Sequence, residues 1–97
     1  MRMVLKASIP VDKGSEAYNS GALQETFESA QEALKPEAMY FFPEEGSRTC
    51  LIVFDMEGSW QLPSIVEPMF QALGASIHIT PAMNGEDLER GMQEAAA

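Results

Sequence analysis

The stretch MYFFPEEGSRTCLIVFDM, residues 39–56, predicts two β-strands joined by a polar turn. Pro43 and Gly46 stand in the turn, where these residue types are common. A hairpin with one solvated face should alternate apolar and polar side chains. From residue 50 to residue 56, however, only Asp55 is polar. We therefore expect both faces of the second strand to be covered.

The sequence around this hairpin predicts two further strands and two helices. Residues 2–9 and 75–80 alternate in the manner of strands. Apolar residues recur at helical spacing from Ser20 to Leu34, and Lys35 before Pro36 ends that helix. A second helix is expected from about residue 62 to residue 73, with Gly74 as its C-terminal cap. Its expected buried face consists of Ile65, Val66, Met69, Phe70 and Leu73. Residues 10–21 are interpreted mainly as a loop, and residues 84–97 as a short helical tail.

The resulting order of elements is strand, helix, strand, strand, helix, strand. This order is typical of the split βαβ arrangement, the ferredoxin-like βαββαβ fold. We expect a single α+β domain over residues 1–97, with a four-stranded antiparallel sheet and both helices on one face.

Two helices on one face would leave the other face of the sheet uncovered. Residues of the third strand on one side are Cys50, Ile52, Phe54 and Met56, and those on the other side are Leu51 and Val53. An apolar face of this size is unusual on a monomer, and most oligomers are symmetric dimers. We expect a homodimer of the dimeric α+β barrel type. The alternative is that the C-terminal segment folds back over the sheet through Leu88 and Met92.

Polar residues of the outer strands suggest a site for a small organic molecule. Apolar walls with a few orienting polar groups are typical of such sites. The candidate ligand-binding residues are Lys6, Tyr40, Phe42, Ile52, Phe54 and His78. Lys6 would supply charge, and Tyr40 and His78 would supply hydrogen bonds. The alternative is that Lys6 and Arg2 extend into solvent and pair with acidic residues of a partner.

The composition argues against several other functions. A formal charge of −9, from 15 acidic and 6 scattered basic residues, argues against nucleic acids and anionic membrane surfaces. One histidine and one cysteine cannot form a closed zinc site. There is no glycine-rich phosphate loop, and no sequence typical of a nucleophilic serine. We expect neither a metal nor a cofactor.

Two features of the sequence bear on the location of the protein. No apolar segment approaches the roughly 20 residues that span a bilayer. The first ten residues are too short for a signal peptide and carry Lys6 within their apolar part. A cytoplasmic location is the expectation.

Three sequence segments together resemble a known protein family. They are LKPEAMYFFPEEGSRTCLIVFDM, LPSIVEPMFQALGASIHITPAM and EDL, which together extend over roughly residues 34–88. They resemble a family of small, functionally uncharacterised bacterial proteins, frequent in actinobacteria, in the dimeric α+β barrel group. The matched residues, 35–38, 67–68 and 86–88, are packing and turn signatures. The resemblance therefore implies a fold and carries over no catalytic residue.

The wider barrel group includes muconolactone-isomerase-like enzymes, cofactor-free monooxygenases, haem-degrading enzymes and ligand-sensing domains. Fold similarity alone does not select one of these activities. Our leading expectation is a homodimeric small-molecule-binding or accessory module. The alternatives are a cofactor-independent isomerase or monooxygenase acting on an aromatic or lactone substrate, and a purely structural interaction protein.

Overall fold

Four strands and four α-helices make up the computed structural model, which describes all 97 residues. The elements are β1 (Arg2–Ile9), α1 (Val11–Ser20), α2 (Ala22–Leu34), β2 (Ala38–Glu44), β3 (Ser47–Asp55), α3 (Leu62–Leu73), β4 (Ser76–Pro81) and α4 (Gly85–Ala96). A single 3₁₀ turn, Ser59–Gln61, leads into α3. The strands form one antiparallel sheet in the order β2-β3-β1-β4. This arrangement confirms the predicted ferredoxin-like α+β fold.

The β2–β3 hairpin is tighter than the sequence suggested. Its turn consists of two residues, Glu45 and Gly46, with φ angles of 51° and 79°. Two successive positive φ angles match the twist of paired strands and favour glycine at the second position. Pro43 lies inside β2, paired with Arg48. Proline is tolerated there because β2 is an edge strand.

The hydrophobic core lies on one face of the sheet, which we call the inner face. Helices α1, α2 and α3 cover this face, and each contributes buried side chains to the core. The largest fully buried residues are Leu5, Ile9, Cys50, Ile52, Phe54, Met69 and Leu73. Alternate residues of β1 and β3 therefore meet the helices, and the residues between them lie on the opposite, outer face.

Residues 11–20 form a helix where the sequence analysis placed mainly a loop. The buried residues of α1 are Gly14 and Ala17, which are too small to produce a visible apolar period. A Cβ at position 14 would lie 3.0 Å from Cγ2 of Ile9 and from Nη1 of Arg48, so a larger residue there would force a neighbour to shift, and glycine lets α1 approach the sheet closely. Gly21, with φ of 87°, then separates α1 from α2.

Helix α3 has the bounds that the sequence predicts. Gly74, with φ of 60°, ends it and donates its backbone N–H to the carbonyls of Met69 and Phe70. Met69 and Leu73 are buried as expected. Phe70 was also expected in the buried face, but its side chain is 42% exposed. It lies about 100° around the helix from Met69, beyond the stripe that meets the sheet.

Helix α4 extends away from the rest of the molecule. Asn84 and Asp87 form a reciprocal capping box at its start, and no residue of α4 is buried. Leu88 is 47% exposed and Met92 is 63% exposed. The radius of gyration, 15.3 Å, exceeds the roughly 12.5 Å expected for a compact chain of this length. The alternative in which the C-terminal segment covers the sheet is therefore wrong.

No helix of the structure combines the length and the apolar character that a membrane crossing requires.

Candidate ligand-binding cleft and outer sheet face

The outer face carries an apolar centre with polar margins. One row of side chains crosses all four strands in the order Tyr40, Leu51, Lys6, His78. In the next row, Val53 pairs with Val4. The side chains of Val4, Leu51 and Val53 are only partly buried, and no helix covers them. Apolar residues in the middle of an open sheet favour burial against another surface.

The six predicted ligand-binding residues divide between the two faces of the sheet. Lys6, Tyr40, Phe42 and His78 share the outer face. Ile52 and Phe54 are 0% and 1% exposed and lie in the core on the inner face. Because successive residues of a strand point to opposite faces, these two cannot join Lys6 in one site. The prediction that all six residues line one cleft is therefore wrong for Ile52 and Phe54.

Basic side chains at the outer face and its margin already have partners within the chain. Lys6 Nζ forms an ion pair with Glu44. Arg2 Nε donates to Glu37 Oε1 at 2.5 Å, and this hydrogen bond raises the pKa of Arg2 further above its ordinary value. Arg2 Nη1 also lies 4.0 Å from Asp87 Oδ2. Lys6 is therefore engaged by a carboxylate in the free chain.

The potential catalytic groups have no supporting partners. His78 is exposed and belongs to none of the ion pairs. A general base is usually oriented by a second group, commonly a carboxylate. Cys50 is fully buried, and burial raises the pKa of its thiol to about 12. The thiol therefore stays protonated at neutral pH and is a poor nucleophile. No group of three or more His, Cys, Asp or Glu side chains is placed to hold a metal ion.

A cleft opens on the inner side of the sheet, between α2 and the β2–β3 hairpin. Its volume is about 560 Å³. Its apolar walls include Leu23 and Phe27 of α2, Phe41 of β2 and Ile9 of β1. The rings of Phe27 and Phe41 meet edge to face, with centroids 5.1 Å apart and an interplanar angle of 73°. The size falls within the range of small-molecule sites in proteins.

Arg48 brings a positive charge to this cleft. It occupies an inner-face position of β3, in phase with Cys50 and Ile52. Its Nη1 donates long hydrogen bonds of 3.4 Å to the Val11 carbonyl and to Ser15 Oγ. None of the ion pairs in the structure involves Arg48. Its charge is therefore held by α1 and β3 without a neutralising carboxylate.

The cleft as a whole was not expected from the sequence, although Phe42, one of the six predicted ligand-binding residues, is among the residues that line it. Part of the signal for the cleft is present in the sequence. Arg48 has the same strand parity as the core residues Cys50 and Ile52, an unusual position for a charged residue. Phe41 likewise has core parity but is exposed at the edge strand. Periodicity shows which face of the sheet a side chain occupies, but it does not show how far α2 extends over the edge of the sheet.

Comparisons with known proteins support the fold alone. No protein-family model matches the chain, and no curated protein sequence matches it either. The chain is structurally similar to a formyltetrahydrofolate deformylase from Pseudomonas putida, with a TM-score of 0.55 and 12% identity. The match covers 84% of this chain and 29% of the deformylase, so the chain spans less than a third of that protein.

A second similar structure is a de novo designed protein, Ferredog-Diesel, with a TM-score of 0.50 and 7% identity. That match covers 84% of this chain and 85% of the designed protein. At such low identities the likeness extends to the fold and not to an activity. The sequence-based resemblance to an actinobacterial family stays a prediction.

Proposed function

We propose that this protein is a homodimeric module that binds a small organic molecule. The observation that carries the proposal is the cleft between α2 and the β2–β3 hairpin. It is about 560 Å³ in volume, has apolar walls and contains an arginine without a carboxylate partner. A preformed apolar concavity with few polar groups is the usual form of a small-molecule site.

The outer face supports the homodimeric part of the proposal. Four strands of six to nine residues form a face of roughly 20 by 25 Å, about 500 Å² in projection. This is of the same order as one side of a standard interface, about 800 Å² of accessible surface. Charges of both signs, such as Lys6 and Glu44, border the apolar centre. A second copy related by a two-fold axis can pair such a border with itself.

Binding accounts for the geometry better than catalysis does. Neither His78 nor Cys50 lines the cleft, and the burial that raises the pKa of the Cys50 thiol keeps it protonated. The cleft itself contains one carboxylate, Glu28, and one guanidinium, Arg48, which form no ion pair with each other. These groups can orient a ligand through charge and hydrogen bonds.

Filling the cleft tests the proposal. Gln24 lines the cleft from the exposed side of α2, so Gln24→Trp should occupy it without disturbing the core. The matched control is Gln71→Trp, on the exposed side of α3 and outside the cleft. Ligand-observed NMR with a mixture of aromatic and branched-aliphatic fragments gives the readout. We expect wild type and Gln71→Trp to bind fragments, and Gln24→Trp to lose this binding.

Protein-observed spectra show where a fragment binds. Fragments that occupy the cleft should shift the resonances of Leu23, Phe27 and Phe41. If no fragment shifts these resonances, or if Gln24→Trp binds as well as wild type does, the cleft is not the binding site and the proposal is wrong.

A further inference from the structure

We infer that the ligand class of the cleft is an apolar monocarboxylate, with an aromatic or branched body against Phe27 and Phe41 and its carboxylate on Arg48. The inference rests on the proposed binding function and specifies its ligand. It assigns to Arg48 the role of a specificity-determining residue.

The position of the guanidinium is the first argument. Nη1 of Arg48 is tethered to the Val11 carbonyl and to Ser15 Oγ, which fixes the side chain against the start of α1. Nε and Nη2 donate to no group of the chain, and no buried side-chain nitrogen or oxygen lacks a partner. These donors are therefore accessible from the cleft or from solvent. Two adjacent guanidinium N–H groups match the two oxygens of a carboxylate.

The charge balance around the guanidinium is the second argument. The cleft has two charged side chains, Arg48 and Glu28. Arg48 is half-buried and makes no ion pair, whereas Glu28 is exposed on α2. A charge in contact with water is more strongly screened than one against apolar walls. The positive charge therefore dominates the inner part of the cleft and favours an anionic group there.

The walls are the third argument. Leu23, Phe27, Phe41 and Ile9 offer apolar surface, and the Phe27 and Phe41 rings present both an edge and a face. Such walls favour a flat or branched apolar body through burial and aromatic contacts. A strongly hydrated dianion would lose its solvation against these walls and find only one cation in return. A single carboxylate on an apolar body fits both parts of the site.

A pair of isosteric probes tests the inference on the wild-type protein. 2-Naphthoate and 2-naphthamide differ in charge but hardly in shape, and their affinities can be compared by calorimetry. A charge-assisted contact with Arg48 should make the dissociation constant of the naphthoate about ten- to a hundredfold lower. Naphthoate should also shift the Arg48 Nε resonance, and naphthamide should shift it less.

Variants show whether Arg48 causes the preference for naphthoate over naphthamide. Arg48→Gln should remove it, so that both probes bind alike, and Arg48→Lys should keep only part of it because lysine lacks the planar fork. Arg90→Gln, on α4 and outside the cleft, is the control and should keep the full preference. Thermal unfolding of each variant checks that Arg48→Gln is folded. If it is not folded, the comparison of the two probes on wild type still tests the inference.

Two results would overturn the inference in different ways. If both probes bind in the cleft with equal affinity, or if Arg48→Lys and Arg48→Gln keep the preference, the ligand class is wrong and the binding function stands. If neither probe nor any fragment of the mixture shifts Leu23, Phe27 or Phe41, the binding function fails together with the inference.

Discussion

Leu51 and Ile52 are neighbours in β3 with side chains of similar size, yet they meet opposite environments. Ile52 faces α1, α2 and α3 and is fully buried. Leu51 faces the outer side, is only partly buried and has no helix over it. On its outer side it is flanked by Tyr40 and Lys6 from the adjacent strands. One strand thus carries apolar residues on both faces while its own chain covers only one of them.

The difference between Leu51 and Ile52 shows that an apolar strand indicates that both of its faces are covered, but not whether the same chain covers them. On the inner face the apolar side chains of the core are buried against helices of the same chain, and no buried side-chain nitrogen or oxygen lacks a partner. On the outer face the same apolar character calls for a partner surface. The two faces should therefore respond differently to substitution, and each of the following predictions tests that difference.

The largest expected effect comes from truncating the two neighbours. Ile52→Ala should lower the free energy of unfolding by about 2–5 kcal/mol, because it leaves a cavity in the core. Leu51→Ala should cost about 1 kcal/mol at low protein concentration, since its side chain is partly exposed in the single chain. Urea unfolding at several protein concentrations measures both.

The concentration dependence separates the two faces further. The loss in Leu51→Ala should grow with protein concentration, because a dimer stabilises the folded state by mass action. The loss in Ile52→Ala should not. Equal losses in the two variants at every concentration would contradict the distinction between the faces.

Alkaline pH provides the second test, through Cys50 on the inner face. Burial raises the pKa of this thiol from 9.0 to about 12. Above pH 9 the unfolded chain releases the thiol proton while the folded chain keeps it, so the folded state loses stability as the pH rises. The free energy of unfolding should fall by about 1.4 kcal/mol per pH unit up to about pH 12 from this group.

Cys50→Ala lacks the titrating thiol, so it serves as the control for the pH dependence of wild type. The difference in unfolding free energy between wild type and Cys50→Ala should shrink or change sign from pH 8 to pH 10.5. A constant difference over this range would show that the thiol ionises as easily in the folded chain as in the unfolded one.

A smaller effect on stability is expected from substitution of Gly14, where α1 lies close to the inner face. Gly14→Ala should gain about 1 kcal/mol in helix propensity but cost more than that in overlap, because the added Cβ would lie 3.0 Å from both Cγ2 of the buried Ile9 and Nη1 of Arg48. We expect a net loss of about 1 kcal/mol by thermal unfolding. Gly91→Ala in α4 meets nothing within 4 Å and should not destabilise the protein. If both changes stabilise, α1 is not tightly held.

The smallest effect is expected in α4. Leu88 is exposed, so Leu88→Asp should change the free energy of unfolding by less than about 0.5 kcal/mol. Chemical unfolding at low protein concentration measures this value. A loss above 1 kcal/mol would mean that α4 covers part of the sheet in solution, as the discarded alternative required.

Much of the fold could be predicted from the sequence because strand periodicity and helix ends are local signals. Alternation located β1 and β4, a nearly continuous apolar run located β3, and the segments around Lys35 and Gly74 indicated the ends of two helices. Helix α1 was missed for a physical reason. Its contact side consists of Gly14 and Ala17, which pack by being small and leave no apolar period to detect.

The candidate site was less predictable because it depends on tertiary placement. Strand parity alone could have assigned Ile52 and Phe54 to the core with Cys50, and it contradicts their grouping with Lys6. It could also have marked Arg48 as a charge on the inner face. That α2 leaves a cleft beside Phe41 is set by how the helix lies across the sheet, which no short sequence pattern encodes.

The most direct test of the account is the mass of the native protein, measured by native mass spectrometry and sedimentation equilibrium on wild type, Leu51→Lys and Gln71→Lys. If the outer face is covered by a second copy, wild type and the α3 control Gln71→Lys have twice the 10.6 kDa chain mass, and Leu51→Lys has the mass of one chain while keeping its secondary structure. A monomeric wild type at tens of micromolar, or a Leu51→Lys variant that is still dimeric, would contradict the account.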